Sequence, residues 1–414
     1  MIVLLPEVRR DRIVLACSKL FEISVAPIRE VARIVGLLVA SFSAVEFGRL
    51  YYRHLERAKI QALHANNGDF DAPMDINDEM RLELRWWIDK VRVQKRCIIR
   101  PPVDVEIYTD ASPLGWGAHL RDTTIGGRWS DSEARLHINA LELQAIWLAL
   151  KSFRRDVKQQ HVKIFCDNTT AVSYVNDMGG IHSPICNKLS FDIWSWCIEH
   201  DVWLTCAHVA GRKNLRADSA SRRFVDKHEW KLDVRVFDCI CRRFGKPELD
   251  LFASRLNAQL PCYCAWKPDP GASYIDAFSI RWTLVNSVYL FPPFSLLGRC
   301  VQKIREENAR GIVIAPLWKT QPWFSSLMEL LVDVPVLLRR KKGLLRIPNQ
   351  EVVHPLLDKM RLLACKVSGC FSENRDFLSR QPISSCHPGN LQLENNMQCP
   401  SGSGYHTVVK GRLI

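Results

Sequence analysis

The feature that most constrains the fold of this chain is a run of alternating residues that ends on a carboxylate, Asp110. Apolar or small residues fall on one side of the run and polar residues on the other: Val103, Val105, Ile107 and Thr109 against Asp104, Glu106, Tyr108 and Asp110. Such an alternation predicts a strand with one buried face. Because a buried charge is costly without a partner, the fold has to bring Asp110 to an edge where other polar groups can join it.

The residues that follow predict the rest of one domain. Turn residues flank a short segment from Gly115 to Leu120, which predicts an antiparallel meander. Helical and strand periodicities then alternate, which gives the order βββαβααβα. The segments are a helix from Asn139 to Phe153, a strand from His161 to Cys166, helices from Asn168 to Met178 and from Ser183 to His200, a strand from Val202 to His208 and a helix from Leu215 to Phe224. The pattern predicts an α/β fold with a mixed five-stranded sheet and flanking helices.

Three acids of this domain occupy positions from which a fold can present them together. Asp110 and Asp167 end predicted strands, and Glu142 lies on the first turn of a predicted helix. Clustered carboxylates suit hard cations such as Mg²⁺, and two such ions about 4 Å apart can promote displacement at phosphorus. Each acid also has a structural alternative: Glu142 is at capping-box spacing from Asn139, Asp167 could cap a helix, and Asp218 could favour a helix N-terminus.

Short motifs around these acids resemble, in order, those of type 1 ribonucleases H. They are Tyr108-Thr109-Asp110-Ala111-Ser112, Leu141-Glu142-Leu143, Phe165-Cys166-Asp167-Asn168, and His208-Val209-Ala210-Gly211 with Asn214 and Ala217-Asp218. The resemblance implies a ribonuclease H-like fold and an enzyme that hydrolyses the RNA strand of RNA–DNA hybrids with two Mg²⁺ or Mn²⁺ ions. It implies that the catalytic, metal-binding set is Asp110, Glu142, Asp167 and Asp218. It also implies that His208 lies in a flexible loop and assists product release or proton transfer, with a structural role as the alternative.

The charge balance favours a polyanionic partner. Lys and Arg number 57 against 44 Asp and Glu, a net charge of +13, which favours binding by phosphate neutralisation. The expected partners are an RNA–DNA hybrid, recognised by its backbone shape and 2′-hydroxyls, and DNA. The expected substrate-binding residues are Asn168, Thr169, Arg212, Lys213 and Asn214, for which surface solvation is the alternative.

The region before this domain resembles part of a reverse transcriptase. Residues 1–100 are predicted to be helical, with one long helical pattern from Ile28 to Leu63. The segments 26–36 and 47–52 resemble the thumb and connection of a reverse transcriptase, and with the ribonuclease H-like domain at 101–226 the order resembles the end of a DIRS-type retrotransposon polyprotein. No Asp-Asp pair of a polymerase occurs in the chain. We therefore expect it not to synthesise DNA alone and to have the missing polymerase portion as a partner.

The region after this domain predicts a small α/β domain at 245–348. Leu249 to Ser254, Asp276 to Phe278 and Phe291-Pro292-Pro293-Phe294 resemble an N6-adenine methyltransferase. Phe291 stands where a polar side chain would accept a hydrogen bond from adenine, so the domain is expected to be degenerate and S-adenosylmethionine is not expected, although Asp250 could hold a cofactor. A helical extension at 349–380 and a disordered tail at 381–414 complete the prediction.

Two hypotheses about function follow from these observations. The first is a ribonuclease H-type hydrolase, and the alternative is a catalytically silent nucleic-acid-binding remnant of a retroelement. Fifteen scattered cysteines favour a reducing, intracellular compartment, with nucleus and cytoplasm both open. The longest apolar run, Ile34 to Phe42, is shorter than the ~20 residues that span a bilayer, so no membrane partner is expected.

Overall fold

The chain is described by a computed structural model that covers residues 1–224, 230–348, 354–357 and 359–381, and the backbone of two short strands, 408–409 and 412–413. It divides into two compact units, Met1–Arg223 and Phe224–Ile414. Most of the predicted disordered tail lies outside the described residues. Within the described ranges, no helix has the length and apolar character needed to cross a membrane.

The first unit begins with a helical region. Its helices are α1 (Glu7–Glu22), α2 (Ile28–Val39), α3 (Arg53–Ala65) and α4 (Asp78–Lys90), and two antiparallel ribbons join β1 (Ile2–Val3) to β4 (Arg96–Cys97) and β2 (Val25–Pro27) to β3 (Pro73–Asp75). The single long helix expected from Ile28 to Leu63 is wrong. The chain leaves the helix after Val39, and Gly48 packs so closely on Trp87 that a Cβ would lie 2.8 Å from the ring. Tertiary packing at this point overrides the helical pattern of the sequence.

The rest of the first unit contains the predicted sheet. Its strands are β5 (Val105–Ala111), β6 (Gly115–Leu120), β7 (Thr123–Arg128), β8 (His161–Cys166) and β9 (Trp203–His208). They lie in the order β7-β6-β5-β8-β9, and β5 pairs antiparallel with β6 but parallel with β8, which in turn pairs parallel with β9. The predicted mixed five-stranded sheet of an α/β fold is confirmed.

Helices complete this domain in the predicted order. They are α5 (Ile138–Ser152), α6 (Arg154–Val157), α7 (Thr169–Asn176), α8 (Pro184–Glu199) and α9 (Leu215–Arg222). Helix α5 is buried along most of its length against the sheet and α8, because its apolar residues nearly encircle it. It begins at Ile138 and is capped by His137, so the expected start at Asn139 is wrong by one residue.

Two glycines, one in β6 and one in β7, let α9 approach these strands closely. A Cβ on Gly117 would lie 2.2 Å from the carbonyl oxygen of Ala217, and one on Gly126 would lie 2.7 Å from that of Ala220. The helix backbone therefore rests directly on β6 and β7 at positions where only glycine fits.

Arginines of the helical region hold the turn between α7 and α8. Arg49 forms an ion pair with Asp177 at 3.0 Å, and Arg53 donates to the carbonyl oxygen of Asp177 at 2.6 Å. Arg57 donates to the carbonyl oxygen of Ile181 at 3.1 Å. The bonds from Arg53 and Arg57 end on backbone carbonyl oxygens, so they hold the path of the turn. The ion pair with Arg49 balances the charge of Asp177.

The second unit is also α/β. Its helices are α10 (Val234–Phe244), α11 (Leu297–Glu307), α12 (Pro322–Glu329) and α13 (Phe371–Ser379), and its strands are β10 (Lys231–Leu232), β11 (Leu249–Asp250), β12 (Cys264–Ala265), β13 (Tyr274–Ile275), β14 (Val288–Leu290), β15 (Arg310–Pro316), β16 (Val336–Leu337), β17 (Leu345–Arg346) and β18 (Leu362–Ser368). The main sheet has the order β11-β14-β15-β18-β16. The short strands β19 (Val408–Val409) and β20 (Arg412–Leu413) pair with each other.

The helical extension expected at 349–380 is wrong where β18 forms. This strand pairs antiparallel with β15 along its whole length and lies inside the sheet. Its residues are almost all buried, and a short continuous apolar run does not distinguish a buried strand from a buried helix by periodicity. The small α/β domain therefore includes a strand beyond the boundary expected at residue 348.

Candidate metal centre

Two parallel strands bring Asp110 and Asp167 to the same edge of the first sheet. In the register of β5 and β8, Tyr108 lies beside Phe165. Asp110 and Asp167 each follow two residues later, so both reach the C-terminal edge together. Asp110 is also paired with Gly117 of β6, the glycine on which α9 rests.

Glu142 reaches this edge from the second turn of α5. Its side chain is buried, with 4% of the residue exposed, and it accepts hydrogen bonds from the backbone N–H of Ala111 and from the Cys166 thiol, the latter at 3.5 Å. Burial, reinforced by the charges of Asp110 and Asp167, raises the pKa of Glu142 to about 8. The capping-box alternative does not hold, because α5 begins four residues before Glu142 and is capped by His137.

Helix α9 brings Asp218 to the same carboxylates. Asp218 lies in its first turn and accepts a hydrogen bond from Arg222 Nε at 2.7 Å. Asp110, 3% exposed, accepts one from Ser221 Oγ at 2.6 Å. Burial, together with the charges of Asp167 and Asp218, raises the pKa of Asp110 to about 6, although the Ser221 hydrogen bond and the charge of Arg222 oppose this shift.

The chemistry of this donor set fits hard divalent cations. Asp110 interacts electrostatically with Asp167 and Asp218, and Glu142 interacts with Asp110 and Asp167. Without added positive charge this repulsion favours protonation. Ligand atoms of Glu142, Cys166 and Asp167 lie within 4.8 Å of one another. Burial raises the pKa of the Cys166 thiol well above its usual range, so this thiol stays protonated and the carboxylates remain the groups suited to Mg²⁺ or Mn²⁺.

His208 lies near the edge but outside the acidic cluster. It is the last residue of β9, where its backbone pairs in register with Cys166, and its side chain is exposed. The resemblance placed it in a flexible loop, which is wrong, because the parallel pairing extends the strand through this residue. The loop begins with the turn that follows.

The expected substrate-binding residues divide into two groups. Thr169, Arg212 and Lys213 are exposed, so their contact with a substrate stays a prediction. Asn168 caps α7 by accepting from the Ala171 N–H at 2.9 Å and donates to Asn139 Oδ1 at 2.9 Å.

Asn214, also expected to bind substrate, is instead buried and bonded to the protein backbone. It is 2% exposed and donates to the carbonyl oxygen of Thr109 at 2.8 Å. This bond ties the start of α9 to β5 directly before Asp110. The burial favours a positioning role over the substrate contact that the sequence suggested.

Ser221 is the residue of this site that the sequence analysis missed. Its side chain is fully buried and bonds to Asp110. The signal was its position three residues after Asp218, the spacing at which helical residues share a face.

The two sites suggested in the second unit differ in their surroundings: Asp250 is enclosed, whereas the Phe291-Pro292-Pro293-Phe294 turn borders a pocket of about 270 Å³. Asp250 is buried and accepts backbone N–H groups of Phe252 and Gln259, and burial raises its pKa to about 6. Phe294 packs against Trp318 with ring centroids 5.3 Å apart, and Phe291 is 6.4 Å from Phe294. These ring contacts give Phe291 and Phe294 a packing role in the wall of that pocket.

Comparison with known proteins gives one family match. Residues 100–182 match the RNase H-like domain found in reverse transcriptase. This span includes Asp110, Glu142 and Asp167 but ends before His208 and Asp218. The chain has no match among curated proteins.

Several solved structures resemble parts of the chain. LC11-RNase H1, isolated from compost and solved with an RNA/DNA hybrid, is 19% identical over 28% of this chain and 93% of that chain, with a TM-score of 0.24. RNase H1 from the halophilic archaeon Halobacterium salinarum is 20% identical over 28% and 92%, with a TM-score of 0.24. The foamy viral protease-reverse transcriptase, solved with an RNA/DNA hybrid, is 11% identical over 49% and 27%, with a TM-score of 0.21.

Proposed function

We propose that the first unit is a metal-dependent endonuclease that hydrolyses the RNA strand of RNA–DNA hybrids. The observation that carries this proposal is the convergence of four carboxylates, from two strands and two helices, at one edge of a mixed sheet. The match of residues 100–182 to the RNase H-like domain found in reverse transcriptase supports it. Asp110, Glu142, Asp167 and Asp218 would hold two Mg²⁺ or Mn²⁺ ions.

The bound ions would activate water and stabilise the leaving oxygen at phosphorus. The chain's own residues would prepare the site for that chemistry. The Ala111 N–H and the Cys166 thiol would orient Glu142, and the Ser221 hydroxyl donates to Asp110. His208, exposed at the end of β9, would exchange protons with the departing product. Thr169, Arg212 and Lys213 would contact the hybrid backbone.

The same match supports a retroelement origin. We infer that the chain is part of a reverse transcriptase polyprotein, of which the DIRS type is our specific proposal, and that a polymerase portion is its partner. The second unit would bind or hold DNA without transferring methyl groups, because Phe291 offers no hydrogen-bond acceptor to an adenine amino group.

Cleavage of a labelled RNA–DNA hybrid by the full chain tests the proposal. We expect RNA cleavage that depends on Mg²⁺ or Mn²⁺, and a loss of at least about 100-fold in Asp110→Asn and Asp167→Asn, because each removes a metal-binding charge. Asp156→Asn serves as the matched control, because this aspartate lies in the same domain but is exposed in α6. Hybrid that is bound but never cut with either metal would favour the silent binding remnant instead.

A further inference from the structure

Ser221 contacts both Asp110 and Asp218, the two acids of the site that are farthest apart in sequence. Its hydroxyl lies 2.6 Å from Asp110 Oδ2 and 2.9 Å from the carbonyl oxygen of Asp218. The hydroxyl has one proton to donate, and the charged, nearer acceptor makes the stronger bond. The proton of Ser221 is therefore directed at Asp110.

The backbone of Ser221 is fixed from the opposite side. Ser112 Oγ donates to the carbonyl oxygen of Ser221 at 2.7 Å, and Ser112 lies two residues after Asp110 in the chain. Helix α9 is thus tied to β5 near its end by Ser112 and at its start by Asn214. With both ends fixed, the Ser221 hydroxyl has little freedom to leave Asp110.

The bond also distinguishes the two oxygens of Asp110. Oδ2 accepts from Ser221, whereas Oδ1 has no hydrogen-bond partner among the described residues. Since Ser221 is fully buried, water does not compete for its hydroxyl. The carboxylate is therefore held in one orientation through one of its two oxygens.

We propose that Ser221 is a positioning residue that holds Oδ2 of Asp110 and thereby presents this carboxylate to a divalent cation in one orientation. This inference rests on the proposed metal-dependent function. Residues that orient a metal ligand typically change metal affinity by about 10-fold to 100-fold when they are removed.

The test is calorimetric titration of the full chain with MnCl₂ in the absence of nucleic acid, comparing Ser221→Ala with Ser219→Ala. Both substitutions lie in α9 and change helix propensity equally, but only Ser221 bonds to Asp110. We expect S221A to weaken Mn²⁺ binding at least about 10-fold and S219A to leave it within about twofold. Equal Mn²⁺ affinity in the two variants would overturn the role of Ser221.

A second pair of variants separates the loss of the hydroxyl from a change in side-chain shape. Ser221→Thr and Ser221→Val have nearly the same shape, but only threonine keeps a hydroxyl. We expect S221T to bind Mn²⁺ more tightly than S221V, and equal binding would again overturn the inference. Wild-type protein that binds no Mn²⁺ would instead overturn the proposed function, which separates the two failures.

Discussion

Metal binding to this site should depend strongly on pH because Glu142 and Asp110 hold protons that a cation has to displace. From pKa values of about 8 and about 6, roughly nine-tenths of Glu142 and one-tenth of Asp110 are protonated at pH 7. Binding of Mg²⁺ at pH 7 should therefore release about one proton per chain. With ordinary carboxylate pKa values it would release almost none.

The pKa values of Glu142 and Asp110 also determine how the affinity for Mg²⁺ changes with pH. Only the deprotonated carboxylates bind the ion, so affinity rises as pH rises through the two pKa values. Between pH 6.5 and pH 8.5 the apparent Mg²⁺ affinity should increase about 30-fold, most of it from Glu142.

Calorimetry in two buffers of different ionisation enthalpy measures both quantities, because the difference in heat counts the protons released. Glu106→Gln is the control, since Glu106 is an exposed glutamate on β5 and should leave the proton count unchanged. An affinity that stays constant over this pH range, with no proton released at pH 7, would refute the reasoning.

Three further predictions follow from the same structure. With chelator present, the protein should be less stable to denaturant at pH 8 than at pH 5.5. The raised pKa values of Glu142 and Asp110 leave the folded state with more bound protons than the unfolded state. Equal stability at the two pH values would contradict this. Gly117→Ala should lower the free energy of unfolding by about 2 kcal/mol or more, because the added methyl group overpacks the contact with α9. Gly36→Ala in α2 is the control, since this position has open space around it, and it should raise the melting temperature slightly. Asn214→Ala should cost about 1 to 3 kcal/mol of stability by leaving the Thr109 carbonyl unpaired, and an unchanged melting temperature would count against its positioning role.

The sequence was most informative where a pattern depends on local geometry. Period-two alternation located β5, and a helix between strands allows a parallel pairing such as that of β5 with β8. The position of Asp110 and Asp167 at one edge could be predicted on that basis. Glu142 could be assigned to the right helix. It was expected in the first turn but lies in the second, because the helix is capped by His137 and does not begin at Asn139.

The remaining features depend on contacts between distant segments. The first helix ends at Val39 and Gly48 then packs on Trp87, while β18 is a strand that pairs along its whole length with β15. The Ser221–Asp110 bond joins residues 111 positions apart. No pattern within a short window of sequence contains such information, since the partner is decided only when the chain has folded.

The position of α9 in the chain has a consequence for the order in which the site is made. Ribosomes synthesise proteins from the N-terminus, so the strands with Asp110 and Asp167 and the helix with Glu142 emerge before Leu215–Arg222. A nascent chain would carry three of the acids while still lacking the fourth, the arginine that pairs with it and the serine that holds Asp110. The proposed nuclease activity would thus begin only after the whole first unit has left the ribosome.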